Sequence, residues 1–184
     1  MTSQQYKKNK TSILTTDQNI FSVAEDRILS PNNLGATVII PHVCNNINLF
    51  GAGFAAAVAN QYPAVKENFH MLGNKAKLGH VQFITAKTNQ HYRRSLVFAN
   101  MIAQNKTINR EHNPRPLNYE SLMVCMSMVR DFAKDLINKE HDKVEIHCPR
   151  FGCGLAGGNW AFISELIKDM WSDFDVFVYV LKTR

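Results

Sequence analysis

The chain has 184 residues, 45% hydrophobic and 20% charged; that is long enough for one continuous core, and it excludes disordered, collagen-like and low-complexity classes. Twenty-one Lys and Arg against 15 Asp and Glu leave a net charge of +6, which suits an anionic partner or simply a solvated basic surface. Cys44, Cys125, Cys148 and Cys153 are too few for a disulfide scaffold and lack zinc-ligand spacing, so reduced thiols, no metal and a cytoplasmic location are expected. The polar N-terminus leads into no apolar run, so no signal peptide is expected. The apolar stretches 54–59 and 176–181 fall well short of a membrane span.

Residues 1–11 read as a flexible segment, and 12–184 as a single domain without internal repeats. Residues 37–43 (TVIIPHV) have the β-branched run of a buried strand. Pro41 cannot donate to a ladder and is expected where that strand ends, which places 42–48 at its exit. A short helix is expected over 54–60, broken at Tyr62-Pro63, and a second over 63–71 with Pro in its first turn. Residues 80–86 and 95–102 read as strands joined by a polar hairpin connection at 87–94. The stretch 103–116 has no periodicity and is long enough to be a functional loop.

Asn118 is placed to cap a long helix whose Leu122, Met126, Val129, Ala133 and Leu136 form one apolar stripe. A strand at 144–148, a Gly-rich loop, a helix at 159–171 and a strand at 175–181 complete the order. Alternating strands and helices predict a three-layer α/β/α domain with a largely parallel sheet.

In such sheets ligands bind beyond the C-terminal strand ends. Two loops occupy strand-to-helix junctions there: 42–55 (HVCNNINLFGAGFA) and 149–160 (PRFGCGLAGGNW). Their glycines let backbone N–H groups turn around an anion at a helix N-terminus, and two facing nests suit a diphosphate. The same glycines would also serve as tight turns. Neither loop has a Walker Gly-Lys-Ser/Thr, and Gly51-Ala52-Gly53 meets Ala56 where the dinucleotide fingerprint needs a third glycine. His147-Cys148 opens like a cysteine-phosphatase loop, but Gly154 stands at the Arg position, so Cys148 has no anion clamp.

The two loops together resemble those of the macrodomain family of ADP-ribose-binding modules. The resemblance is to the branch with yeast-type ADP-ribose 1''-phosphate phosphatases and terminal ADP-ribose glycohydrolases. It is carried by His42-x-Cys44-Asn45, Gly51-Ala52-Gly53-Phe54-Ala55, Pro149-Arg150-x-Gly152-Cys153-Gly154-Leu155, Trp160, the 118–122 helix start and the 178–181 strand. It spans about residues 12–182 and implies a mixed, largely parallel macrodomain-like sheet between helices.

The resemblance also implies roles. The amides of Gly51, Ala52, Gly53, Phe54 and Ala55, and of Gly152, Cys153, Gly154 and Leu155, would hold the diphosphate and distal ribose. Asn45 would touch that ribose, and Asp17 would accept from the adenine amino group, although the family's Gly-Asp-Ile/Leu is here Thr16-Asp17-Gln18. The glutamate-ester glycohydrolases use a strand Lys and an Asp after Gly-Cys-Gly-Leu; here 98–103 has no Lys and the Asp position is Ala156. His42 matches the proposed acid–base His of the phosphatase-like branch.

An imidazole can activate water and protonate a leaving hydroxyl near neutral pH. His42 is therefore the catalytic candidate, or else a strand-end His bonded to backbone, with Asn45 and Asn46 to orient ribose and water. Arg150 belongs to the second nest. Phe151 would lie along a ribose or plug the core. His112 and Arg115 would close over the distal phosphate or remain a solvated basic loop. No cofactor is required.

The leading expectation is an ADP-ribose-binding hydrolase acting on ADP-ribose 1''-phosphate. The alternatives are a glycohydrolase that removes ADP-ribose from a protein or nucleic acid, and a non-catalytic ADP-ribose-binding module. Direct nucleic-acid binding is disfavoured, because no Arg/Lys cluster is interleaved with aromatics.

Overall fold

The computed structural model, which describes residues 14–31, 35–140 and 143–180, is a six-stranded sheet between two helical layers. In chain order the elements are β1 (Leu14–Thr16), α1 (Ile20–Leu29), β2 (Thr37–Asn45), α2 (Gly53–Gln61), α3 (Pro63–Met71), β3 (Val81–Asn89), β4 (Arg94–Gln104), α4 (Tyr119–Glu140), β5 (Val144–Pro149), α5 (Trp160–Met170) and β6 (Asp175–Tyr179). The expected flexible segment 1–11 and the end of the expected last strand at 181 lie outside the described residues.

The strand order is β1-β6-β5-β2-β4-β3. Every pairing is parallel except β3 with β4. Parallel strands are covered on both faces, which explains why β2 reads as a continuous apolar run. Its successive side chains go to opposite layers. Val38 and Ile40 join α1, α2 and α3 with Phe69 and Phe98, whereas Ile39 joins α4 and α5 with Met126, Ile163 and Trp171. The stripe on α4 behaves as its spacing predicts: Leu122, Met126, Val129 and Ala133 are fully buried.

Three boundaries differ from the sequence reading. First, β2 continues past Pro41 to Asn45. Its ladder with β5 stops at Ile39 while that with β4 runs on to Asn45; a strand with one neighbour tolerates the missing N–H, as an edge strand does. Second, half of 87–94 belongs to the hairpin strands, with Lys87 opposite Leu96 and Asn89 opposite Arg94, and only 90–93 make the turn. The polar residues there fit β3 as the exposed sheet edge. Third, α1 occupies residues 20–29, which the pattern above leaves unassigned. Asn19 caps it through Phe21 and Ser22 N–H, and Ile20, Phe21, Ala24 and Ile28 are its buried face.

Candidate functional site

A cleft of about 970 Å³ lies across the C-terminal ends of β6, β5, β2 and β4, at the upper end of the range for small-molecule sites. One wall is the loop from β2 to α2. Its Gly51, Ala52, Gly53, Phe54 and Ala55 all line the cleft. The facing wall is the loop after β5, where Arg150, Phe151, Gly152, Cys153, Gly154 and Leu155 all do so. A Cβ placed on Gly53 would lie 3.9 Å from Leu155 Cδ1, so the two walls nearly touch at their rims.

The first wall offers a bare helix start. Ala52 occupies the N-cap position of α2 and provides no side-chain acceptor, whereas α1 and α5 are capped by Asn19 and Asn159. The initial N–H groups of α2 are therefore left for another acceptor. In the second wall, no group among the described residues accepts from the amides of Gly152, Cys153, Gly154 or Leu155. Gly157 and Gly158 N–H instead close the loop on Gly154 O and Gly152 O, at 2.9 and 2.7 Å. Lys66 and Arg150 line the cleft, and no Asp or Glu does so among the described residues. The lining chemistry is that of an anion site.

The polar residues expected at the site separate into groups. Asn45 lines the cleft but is committed to the loop: its Oδ1 accepts from Ile47 and Leu49 N–H, and its Nδ2 donates to Leu49 O at 2.6 Å. Asn46 is not a lining residue; its Oδ1 accepts from Lys106 N–H at 2.7 Å and ties the loop to the segment after β4. Asp17 also lies off the lining, exposed just beyond β1. Thr16 before it pairs with Tyr179, which does line the cleft. His112 and Arg115 stay outside, and the 105–116 loop reaches the cleft through Thr107 and Ile108 instead. Arg150 packs its guanidinium over the Trp160 ring at 5.4 Å.

The Phe151 ring takes the core alternative, although the residue also lines the cleft. It is 4% exposed, and its ring packs against Trp171 in the core, 5.9 Å between centroids. The neighbouring Gly152 has a φ of 75°, and a Cβ there would crowd the Leu117 and Ile163 side chains at 3.2 Å. Cys153 is half-buried; burial pushes its thiol up, with Arg150 opposing, and its Sγ donates to Phe151 O.

His42 lies within β2, not beyond it, and is 1% exposed. Phe50, Phe54 and Phe98 surround its ring edge-on at 5.7, 5.6 and 6.4 Å. Burial pushes its pKa down to about 4, against an upward pull from the Asn100 side chain. The ring is thus neutral at pH 7. Its Nε2 and Asn100 Oδ1 are buried at paired positions of β2 and β4, and neither has a partner within hydrogen-bond distance among the described residues.

Several lining residues were given no site role by the sequence: Lys66 and His70 on α3, Gln104, and Tyr179 with Val180. His70 is exposed, and its Nδ1 is 3.2 Å from Asn48 Oδ1 while Asn48 Nδ2 donates to His70 O at 3.2 Å. Tyr179 ends a buried polar chain. Arg27 and Lys143 hold the fully buried Glu145, whose Oε2 is 3.1 Å from His147 Nε2, and His147 Nδ1 is 2.8 Å from the Tyr179 hydroxyl. A carboxylate only accepts, so His147 donates through Nε2 and, when neutral, accepts a hydrogen bond from the Tyr179 hydroxyl at Nδ1. Burial raises the Glu145 carboxyl, but the bonds from His147, Arg27 and Lys143 outweigh it and keep the group ionised.

No family model matches the chain. It is 25% identical over 143 residues to an uncharacterized 17.5 kDa protein of the tk-vs intergenic region of Enterobacteria phage T4, covering 76% of this chain and 83% of that one. Among solved structures, a protein of unknown function from Bacteroides thetaiotaomicron is 27% identical, with a TM-score of 0.73 over 94% of this chain and 100% of that one. A macrodomain protein from Streptomyces coelicolor is 26% identical, with a TM-score of 0.65 over 91% and 98%. The DarTG of Thermosipho africanus, solved in complex with ADP-ribose, is 17% identical, with a TM-score of 0.64 over 95% of this chain and 43% of that one. The chain has the macrodomain fold.

Proposed function

We propose that the cleft binds ADP-ribose or a derivative of it. The observation that carries this reading is the pair of facing walls with unpaired backbone amides, set beside two cations and, among the described residues, no carboxylate. Such a frame favours a pyrophosphate over a neutral or cationic ligand. The loop motifs and the fold shared with a chain solved in complex with ADP-ribose support the choice of nucleotide. On this reading Asp17 and Tyr179 mark the adenine end, over β1 and β6. The distal ribose then lies toward Asn45 and α3.

The reaction that fits this frame is removal of a phosphate from the distal ribose, that is, hydrolysis of ADP-ribose 1''-phosphate. The cations supply anion recognition for such a substrate, and water is the only co-reactant. A second reading, a binding module without turnover, is favoured by Ala156, which is buried in the cleft wall where a catalytic Asp is expected. The same residue argues against the Lys-plus-carboxylate glycohydrolase route.

Calorimetric titration with ADP-ribose tests the binding claim. Gly53→Glu should abolish binding, because a carboxylate would occupy the first nest; retained affinity would refute the placement. Phosphate release from ADP-ribose 1''-phosphate, beside assays on ADP-ribosylated protein and nucleic acid, separates the two readings and the glycohydrolase route.

A further inference from the structure

We propose that His70 is the proton-transfer residue of this cleft and that Asn48 is its positioning residue. The proposal rests on the ADP-ribose reading and deepens it.

The hydrogen bonds decide the tautomer. Asn48 Nδ2 donates to the His70 carbonyl, and a carbonyl can only accept, so the Asn48 amide cannot be turned round. Its Oδ1 therefore faces His70 Nδ1. An amide oxygen also only accepts, so Nδ1 carries the proton, and in the neutral ring Nε2 is a free base. His70 is exposed and lines the cleft, so that base is open to solvent and ligand.

Asn48 holds this arrangement from a left-handed backbone position, φ of 60°. Asn tolerates that region better than most residues, but Gly does so more easily. The two bonds to His70 give a reason for a side chain there.

Other lining groups do not serve. His42 is sealed among three aromatic rings, the Tyr179 hydroxyl is bonded to His147, and Cys153 Sγ donates to Phe151 O. Lys66 and Arg150 are cations without basic capacity while charged. Lys66 lies one turn before His70 on α3 and lines the same end of the cleft, where it can hold the charge of a phosphate.

On a phosphate monoester of the distal ribose, His70 Nε2 takes a proton from water as the water oxygen bonds to phosphorus. The bond from phosphorus to the ribose oxygen breaks, and its electron pair stays on that oxygen. The imidazolium then returns the proton to it, giving ADP-ribose and inorganic phosphate.

The test compares the full-length chain with His70→Gln and Asn48→Gly, measuring phosphate release from ADP-ribose 1''-phosphate and calorimetric affinity for ADP-ribose. Wild type should release phosphate. His70→Gln should lower kcat by about 10²–10³-fold, with ADP-ribose affinity kept within about threefold. Asn48→Gly suits the left-handed backbone and should lower kcat about tenfold through loss of ring orientation. Long-range ¹H–¹⁵N NMR should place the neutral-ring proton of His70 on Nδ1 in wild type and show a mixture of the Nδ1-H and Nε2-H tautomers in Asn48→Gly.

Undiminished turnover in His70→Gln would overturn the proposal. So would an Nε2-protonated His70 in wild type, or ADP-ribose binding without phosphate release. Failure of wild type to bind ADP-ribose would instead remove the underlying reading, and this proposal with it.

Discussion

The two walls of the cleft are built by different physics. The 45–52 wall is held by side-chain amides: Asn45 ties up Ile47 and Leu49, and Asn48 ties the loop to α3. The 150–158 wall is held by missing side chains. Gly152 and Gly158 let the loop lie directly on Leu117 and Ile163, and a Cβ on Gly158 would fall 2.4 Å from Leu117 Cδ2 and 2.6 Å from Gly152 O. The first wall can therefore loosen gradually as bonds are removed, whereas the second either closes on the core or does not close.

The largest effect should come from the second wall. Gly158→Ala forces a backbone contact that no rotamer relieves and should cost about 3 kcal/mol or more in urea unfolding. A loss below about 1 kcal/mol would show that the second wall is as pliable as the first.

Acid should undermine the first wall, because His42 packs against its Phe50 and Phe54. The ring titrates near 4 when folded and near its ordinary 6.5 when unfolded. The unfolded chain thus binds more protons between those values, so this stability is present above about pH 6.5 and lost as pH falls toward 4. From pH 7 to pH 5 the loss should be about 2 kcal/mol. Burial lowers the His147 pKa as well, which adds in the same direction. His42→Phe should flatten the slope; an unchanged slope would assign it elsewhere.

Asn45→Ala removes the three loop bonds together and should cost about 1–2 kcal/mol, with ADP-ribose affinity falling more than tenfold. The smallest effect is at Gly53, which has a φ of 56° but where an added Cβ would meet only an ordinary contact, 3.9 Å from Leu155 Cδ1. Gly53→Ala should cost only about 1 kcal/mol by differential scanning calorimetry. A cost matching that of Gly158→Ala would erase the contrast between the walls.

The placement of both walls could be read from one dimension. Glycine clusters after β-branched runs mark strand-to-helix turns, because left-handed backbone and close approach exclude a Cβ. The α4 stripe and the Asn118 cap were legible for a similar reason, since a helix repeats every 3.6 residues. The depth of His42 was not legible, because a proline inside a strand hides whether a neighbour still flanks it. Phe151 was ambiguous, because a ring in a glycine-rich turn can point either way. His70 was invisible: its partner Asn48 is 22 residues away on another element.

Local chemistry along the chain therefore settled the alternation of strands and helices, the two glycine turns and the excess of positive charge. Each of these depends on neighbours in sequence and on steric limits within a few residues. Packing settled which histidine meets solvent, which aromatic ring joins the core and which amides remain unpaired. Those properties depend on dielectric surroundings and on hydrogen-bond partners contributed by distant elements, and they exist only once the sheet has brought β2, β5 and α3 to one edge.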